Sequence, residues 1–180
     1  MKIVFDTCVL YPTFVREVLL AVAKRGLFAP AWSNDIFNEW LYAVRKVDTF
    51  GESQVRAEIA LLKYSWPGSL YVREEFQPDD LWLPDLNDVH VLATAISSGS
   101  NAILTFNTKD FPKSVLSKYN LIKYTPDELL KQLWLEYPNV ILTEVNEVYN
   151  SLVNKWGSDL SLKKVLKKSK LSGVEKVLRQ

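Results

Sequence analysis

Six polar residues stand at points of the chain where chemistry gathers: Asp6, Glu39, Asp85, Asp88, Asn107 and Asp110. Asp6 closes the apolar run KIVFD, and Asn107 and Asp110 follow the apolar run NAILTF, so each lies just past a segment that reads as a buried strand. Asp85 and Asp88 open a helical pattern three residues apart, which sets both on one face near a helix N-terminus, where the macrodipole favours carboxylates. Glu39 lies about one turn into another helical segment. Should three or four of these carboxylates converge, a pair at ~4 Å repels by about 1 kcal/mol in water and about 4 kcal/mol at an effective dielectric of about 20. Either some acids are protonated or a metal ion sits among them. Oxygen donors without histidine or thiolate select hard cations such as Mg²⁺ or Mn²⁺, which activate water and stabilise phosphoryl-transfer transition states.

The elements around these residues explain how they could meet. After Pro12, Phe14, Val18, Leu19, Val22 and Ala23 recur at helical spacing until Gly26 stops the pattern. The segment SNDIFNEWLYAVRK predicts a second helix, capped by Ser33, with Ile36, Phe37, Trp40, Leu41 and Val44 as its apolar stripe. ESQVRAEIALLKYSW predicts a third helix and SLYVRE a strand, followed by the acid-rich EEFQPDDLWLPD. A fourth helix begins at Asp85 with Val89, Leu92, Ala93 and Ile96 inward, and NLIKY is a further short strand. Strands alternating with helices imply a parallel sheet with right-handed crossovers, hence an α/β sandwich. In such sheets the C-terminal strand ends meet at one edge, where ligands bind, and that is the edge that collects the acids.

From Thr125 the character changes: Thr125 as cap, Pro126 at the first position and Asp127 and Glu128 in the first turn start an all-helical stretch that runs to the end. The predicted organisation is an α/β domain over residues 1–124 and a helical C-terminal extension over 125–180, joined without a Gly- or Ser-rich linker and therefore packed.

Composition bounds the rest. The 180 residues hold 22 Lys and Arg against 21 Asp and Glu, but eight of the basic residues and only two acids fall in residues 155–180, a local net of +6 against −5 for residues 1–154. Lys163, Lys164, Lys167 and Lys168 surround Leu162, Val165 and Leu166 as an amphipathic helix, which suits phosphate contact or an acidic partner and equally suits a solvated face. With 48% hydrophobic and 12% aromatic residues, the chain can bury one ordinary core and is neither disordered nor fibrous. One cysteine, Cys8, excludes an internal disulfide. No stretch approaches 18 uninterrupted apolar residues and MKIVFD runs straight into an acid, so a cytoplasmic protein with no membrane association is expected.

Taken together, IVFDTCVLYP, SNDIFNEWLYAVRK and LPDLNDVHVLATAISSGSNAILTFNTKDFP resemble the PIN-domain family, in the VapC-like subgroup of toxin–antitoxin ribonucleases with a helical C-terminal extension. The resemblance implies a three-layer α/β/α sandwich with a central parallel sheet and a Mg²⁺-dependent endoribonuclease, with Mn²⁺ as the alternative ion. Residue by residue it implies Asp6, Glu39 and Asp88 as metal-holding catalytic positions. The fourth catalytic position of the pattern falls on Asn107, a departure that brings no charge and puts a second metal ion in question. Asp110 then supplies the missing carboxylate or fixes its turn, Asp85 is cap or outer carboxylate, and Thr105 orients water or phosphate or is simply a good strand residue. The family often has Asn where this chain has Cys8. An RNA substrate, an antitoxin protein and a homodimer are the partners implied.

Blander readings compete at each position. Asp6 followed by Thr7 also suits a turn, and Glu39 a helix surface. His90, the single histidine, falls about 200° around an ideal helix from Asp88, away from the acids. Cys8 has no histidine near it in sequence to activate a thiolate. Trp32, Trp40, Trp66, Trp82, Trp134 and Trp156 read as core or interface more readily than as base-stacking groups. A catalytically weak RNA- or protein-binding module of the same fold is the alternative function, motivated by Asn107. A haloacid-dehalogenase-type phosphatase needs an aspartate where Cys8 stands, and no G-x-G-x-x-G follows the first strand for a dinucleotide.

Overall fold

The computed structural model describes residues 1–47, 51–72, 81–156 and 160–179. Five parallel strands, β1 (Lys2–Phe5), β2 (Ala29–Ser33), β3 (Leu70–Tyr71), β4 (Ala102–Leu104) and β5 (Ile122–Tyr124), form one sheet in the order β3-β2-β1-β4-β5. The predicted strand SLYVRE is reduced to β3; its last two residues and most of the acid-rich run after it lie outside the described residues. Between the strands run α1 (Thr7–Leu10), α2 (Thr13–Lys24), α3 (Asn34–Arg45), α4 (Gly51–Ser65), α5 (Val89–Ser97) and α6 (Lys113–Leu116). After β5 come α7 (Pro126–Glu136), α8 (Pro138–Trp156), α9 (Leu162–Lys168) and α10 (Ser172–Val177). The result is the expected α/β/α sandwich with a helical C-terminal region. Ile3, Val4, Phe5, Ala102, Ile103 and Leu104 are fully buried, as strands covered on both faces must be.

The apolar stripes read from the sequence are the ones that pack. Phe14, Val18, Leu19, Val22 and Ala23 of α2 are buried, as are Ile36, Phe37, Trp40, Leu41 and Val44 of α3. The Ser33 side chain accepts from the Ile36 N–H as the cap of α3, and Gly26 ends the α2 segment at φ 80°. The fully buried pair Trp32 and Trp40 confirms the core reading for those two indoles, whereas Trp82 is 62% exposed.

One strand escaped the sequence pattern. β2 is APAWS, poor in β-branched residues and containing Pro30, yet it pairs with β1 along Lys2↔Ala29, Ile3↔Pro30 and Val4↔Ala31. The Ala29 N–H donates toward β1, to the Met1 carbonyl, and the Trp32 N–H toward β3, to the Ser69 carbonyl. Alternation puts the Pro30 nitrogen on the β3 side, and β3 pairs only with Trp32 and Ser33, so no ladder bond is lost where proline has no N–H to give.

The C-terminal helices are packed on the body. α8 lies along α2, where Arg25 Nε donates to the buried Glu144 carboxylate at 2.6 Å, and Leu129, Leu130, Ile141 and Val145 are fully buried. Thr125 and Glu128 form a reciprocal capping box at the start of α7. Among the described residues no helix is long and apolar enough to cross a membrane.

Candidate metal centre

Strand order reverses about β1, since the chain runs outward to β2 and β3 and then returns to β4 on the other side. Such a switch point opens a crevice beyond the C-terminal strand ends. Asp6 leaves β1 there, and Thr105, Asn107 and Asp110 leave β4 beside it.

Asp6 is 3% exposed and its Oδ2 accepts from Thr105 Oγ1 at 2.6 Å and from Cys8 Sγ at 3.0 Å. Burial pushes this carboxyl up, against those two hydrogen bonds, which favour the anion. The Thr105 hydroxyl gives its hydrogen to Asp6 and accepts the Asn107 N–H at 2.8 Å, so Thr105 orients the aspartate and the turn after β4. Cys8, unassigned by sequence reasoning, bridges the two strand ends: its sulfur accepts the Phe106 N–H at 3.2 Å while its thiol donates to Asp6. Burial first, and the adjacent Asp6 charge second, push that thiol up to about 12, which makes it a donor and not a nucleophile.

Among the described residues Asp85, Asp88 and Asp110 form an acidic group, each offering an oxygen within 4.8 Å of the others. A short 3-10 turn, Leu86–Asp88, precedes α5, with Asp85 as its extended N-cap and Asp88 as its last residue. Asp85 also caps that turn, with Oδ1 accepting both the Asn87 N–H and the Asn87 amide at 2.9 Å. Asp110 sits in a second 3-10 turn, Thr108–Asp110, whose N-cap is Asn107. Lys123 holds that turn from behind by donating to the carbonyls of Thr108 and Phe111.

Asp88 is the centre of the strain. It is 7% exposed, and its Oδ2 is buried with no hydrogen-bond partner among the described residues. Burial, followed by the charges of Asp6, Asp85, Glu39 and Asp110, pushes its carboxyl up to about 7. A buried oxygen with no donor, surrounded by four further acids, fits a hard divalent cation among oxygen ligands. Asn107, half-buried in the turn, contributes backbone bonds on both sides and no charge.

Glu39 is differently engaged. Thr7 Oγ1 donates to its Oε2, and His90 Nε2 lies 3.2 Å from the same oxygen, an ion contact off the line of a hydrogen bond. Burial works against the Glu39 anion, but His90 and Thr7 outweigh it and hold the carboxyl below its ordinary range. His90 in turn is raised, the neighbouring carboxylate overcoming burial. The expectation that His90 points away from the acids is thus corrected. Asp88 belongs to the 3-10 turn and only caps α5, so the 3.6-residue count from Asp88 does not apply, and His90 turns toward α3. Its Nδ1 contacts the Asn87 carbonyl at 2.6 Å.

A family model described as a PIN domain matches residues 2–109. The chain belongs to the PIN-domain family. The PIN match spans Asp6, Glu39, Asp85, Asp88 and Asn107 and stops one residue short of Asp110. No curated protein matches the chain. Among solved structures, the crystal structure of VapBC2 from Rickettsia felis bound to a DNA fragment from its promoter is similar at 19% identity, with a TM-score of 0.44, over 69% of this chain and 98% of that one.

Proposed function

We propose that this PIN-domain protein is a divalent-metal-dependent endoribonuclease that acts as the toxin of a toxin–antitoxin pair, with Mg²⁺ as its ion and RNA as its substrate. A buried Asp88 oxygen without a partner among the described residues, on a side chain that clusters with the carboxylates of Asp85 and Asp110, supports this reading most directly. Asp88, Asp85 and Asp110 would hold the ion, with Asp6 and Glu39 close enough for their charges to act on Asp88. Such an ion supplies positive charge for the phosphoryl oxygens and activates water for in-line attack. Asp6 stays oriented because Thr105 and Cys8 both donate to one of its oxygens. Asp110 brings the carboxylate that Asn107 lacks, which favours an active nuclease over a catalytically weak binding module.

Incubating an unstructured RNA with the protein in Mg²⁺ and in EDTA tests this reading, alongside Asp88→Asn and Asp110→Asn. Wild type is expected to cleave in Mg²⁺ only, and Asp88→Asn to lose about 100-fold or more in rate, as expected when several kcal/mol of transition-state charge stabilisation are removed. Cleavage that persists undiminished in both variants would place the chemistry elsewhere.

A further inference from the structure

Helix α9 ends in a Schellman turn, with the Lys170 N–H donating to the Lys167 carbonyl at 3.1 Å and the Leu171 N–H to the Leu166 carbonyl at 2.8 Å. Leu166 and Leu171, the positions whose apolar contact commonly accompanies the motif, are both buried in the core. Its left-handed position, where glycine costs least, is taken by Lys170 at φ 57°. A long side chain in that conformation is a strained choice, and such choices gather where function constrains the residue. The Lys170 ammonium lies 5.1 Å from the centroid of the Phe106 ring. Phe106 stands between Thr105 and Asn107, its N–H on Cys8, which in turn donates to Asp6. The basic tail is therefore folded back to the rim of the acidic crevice.

Lys163, Lys164, Lys167 and Lys168 are exposed on α9, the helix that leads into this turn, and Lys109 is exposed in the turn that carries Asn107 and Asp110. Among the described residues, none of these lysines, nor Lys170, is paired with a carboxylate. We propose that Lys170, held in its left-handed turn over Phe106, together with the lysines of α9 and Lys109, forms a phosphate-binding wall that guides an RNA backbone into the crevice. This inference rests on the endoribonuclease reading above. Lysine serves as a sequence-independent point-charge contact to phosphate. Residues 1–154 carry a net charge of −5, so a polyanion approaching the carboxylates needs cations at the rim. An acidic protein segment would satisfy the same lysines but has no reason to lead to the crevice.

The test is a salt titration of binding, with a fluorescein-labelled single-stranded oligoribonucleotide of mixed sequence and the full chain in EDTA, so that affinity is read without turnover. Lys170→Gln is expected to weaken binding uniformly across RNA sequences and to flatten the slope of log affinity against log salt by about 0.7 per lost contact. The advantage of wild type then shrinks about fivefold for each tenfold rise in salt. Lys170→Gly separates folding from binding: its melting temperature is expected to rise because the left-handed residue loses its β-carbon, while its RNA affinity falls as in Lys170→Gln. Equal affinity and slope for wild type and Lys170→Gln would overturn the proposal, whether or not poly-glutamate binding depends on that lysine. The two readings fail separately. A chain that binds RNA through Lys170 yet never cleaves it keeps the wall and loses the nuclease, and one that cleaves with an unaltered slope loses only the wall.

Discussion

Asp88 concentrates the electrostatic cost of the crevice in one side chain. Its carboxyl, ordinarily near 3.8, titrates near 7 in the fold because it is buried among four other acids. A group that holds its proton more tightly folded than unfolded stabilises the fold while protonated, and that contribution is lost as pH rises from about 4 to about 7. In the absence of metal, Asp88→Asn is therefore expected to melt above wild type at pH 8 and close to it at pH 4, as followed by circular dichroism. Added Mg²⁺ should narrow the gap at pH 8 by stabilising wild type alone. An equal gap at both pH values would mean that Asp88 is not the crowded acid. The part of this visible in one dimension was residue type and position at strand and helix ends. What stayed hidden was the engagement of each oxygen: that Thr105 and Cys8 are spent on Asp6, that Glu39 faces Thr7 and His90, and that Asp110 joins Asp85 and Asp88.

At the scale of elements, long amphipathic helices were legible because their stripes are the buried faces, while short pieces were not. β2 lacked every strand signal except its place between two helices, and the two 3-10 turns that aim Asp85, Asp88 and Asp110 are too short to show a period. Long-range caps are equally invisible. Asp127, in the first turn of α7, accepts the Gly173 N–H at 3.1 Å and the Val174 N–H at 2.8 Å, and so fastens α10 across 46 residues of sequence. A β-carbon on Gly173 would come within 2.3 Å of the Asp127 Oδ2. Asp127→Ala is expected to cost about 1.5–3 kcal/mol, the range for hydrogen bonds to a charged group. Urea denaturation of the two proteins checks this; an unchanged midpoint would show that α10 is held by its apolar contacts alone.

Over the whole molecule, a near-neutral chain divides into an acidic body and a basic end that the fold places side by side. The acids gather at the switch point of a parallel sheet, where a cation would give them a reason to be together, and the tail brings Lys170 to its rim. Fold class and the helical C-terminal region were readable from the alternation of strands and helices followed by its loss. The meeting of tail and crevice was not, because it depends on the left-handed turn at Lys170 and the Asp127 clasp, which no local pattern announces. If the crevice holds a divalent ion, anomalous diffraction from crystals of the protein soaked in Mn²⁺ will show a peak within coordination distance of Asp88 Oδ2, shared with Asp85 and Asp110. A crevice without a peak, or a peak bound elsewhere, would rule that ion site out.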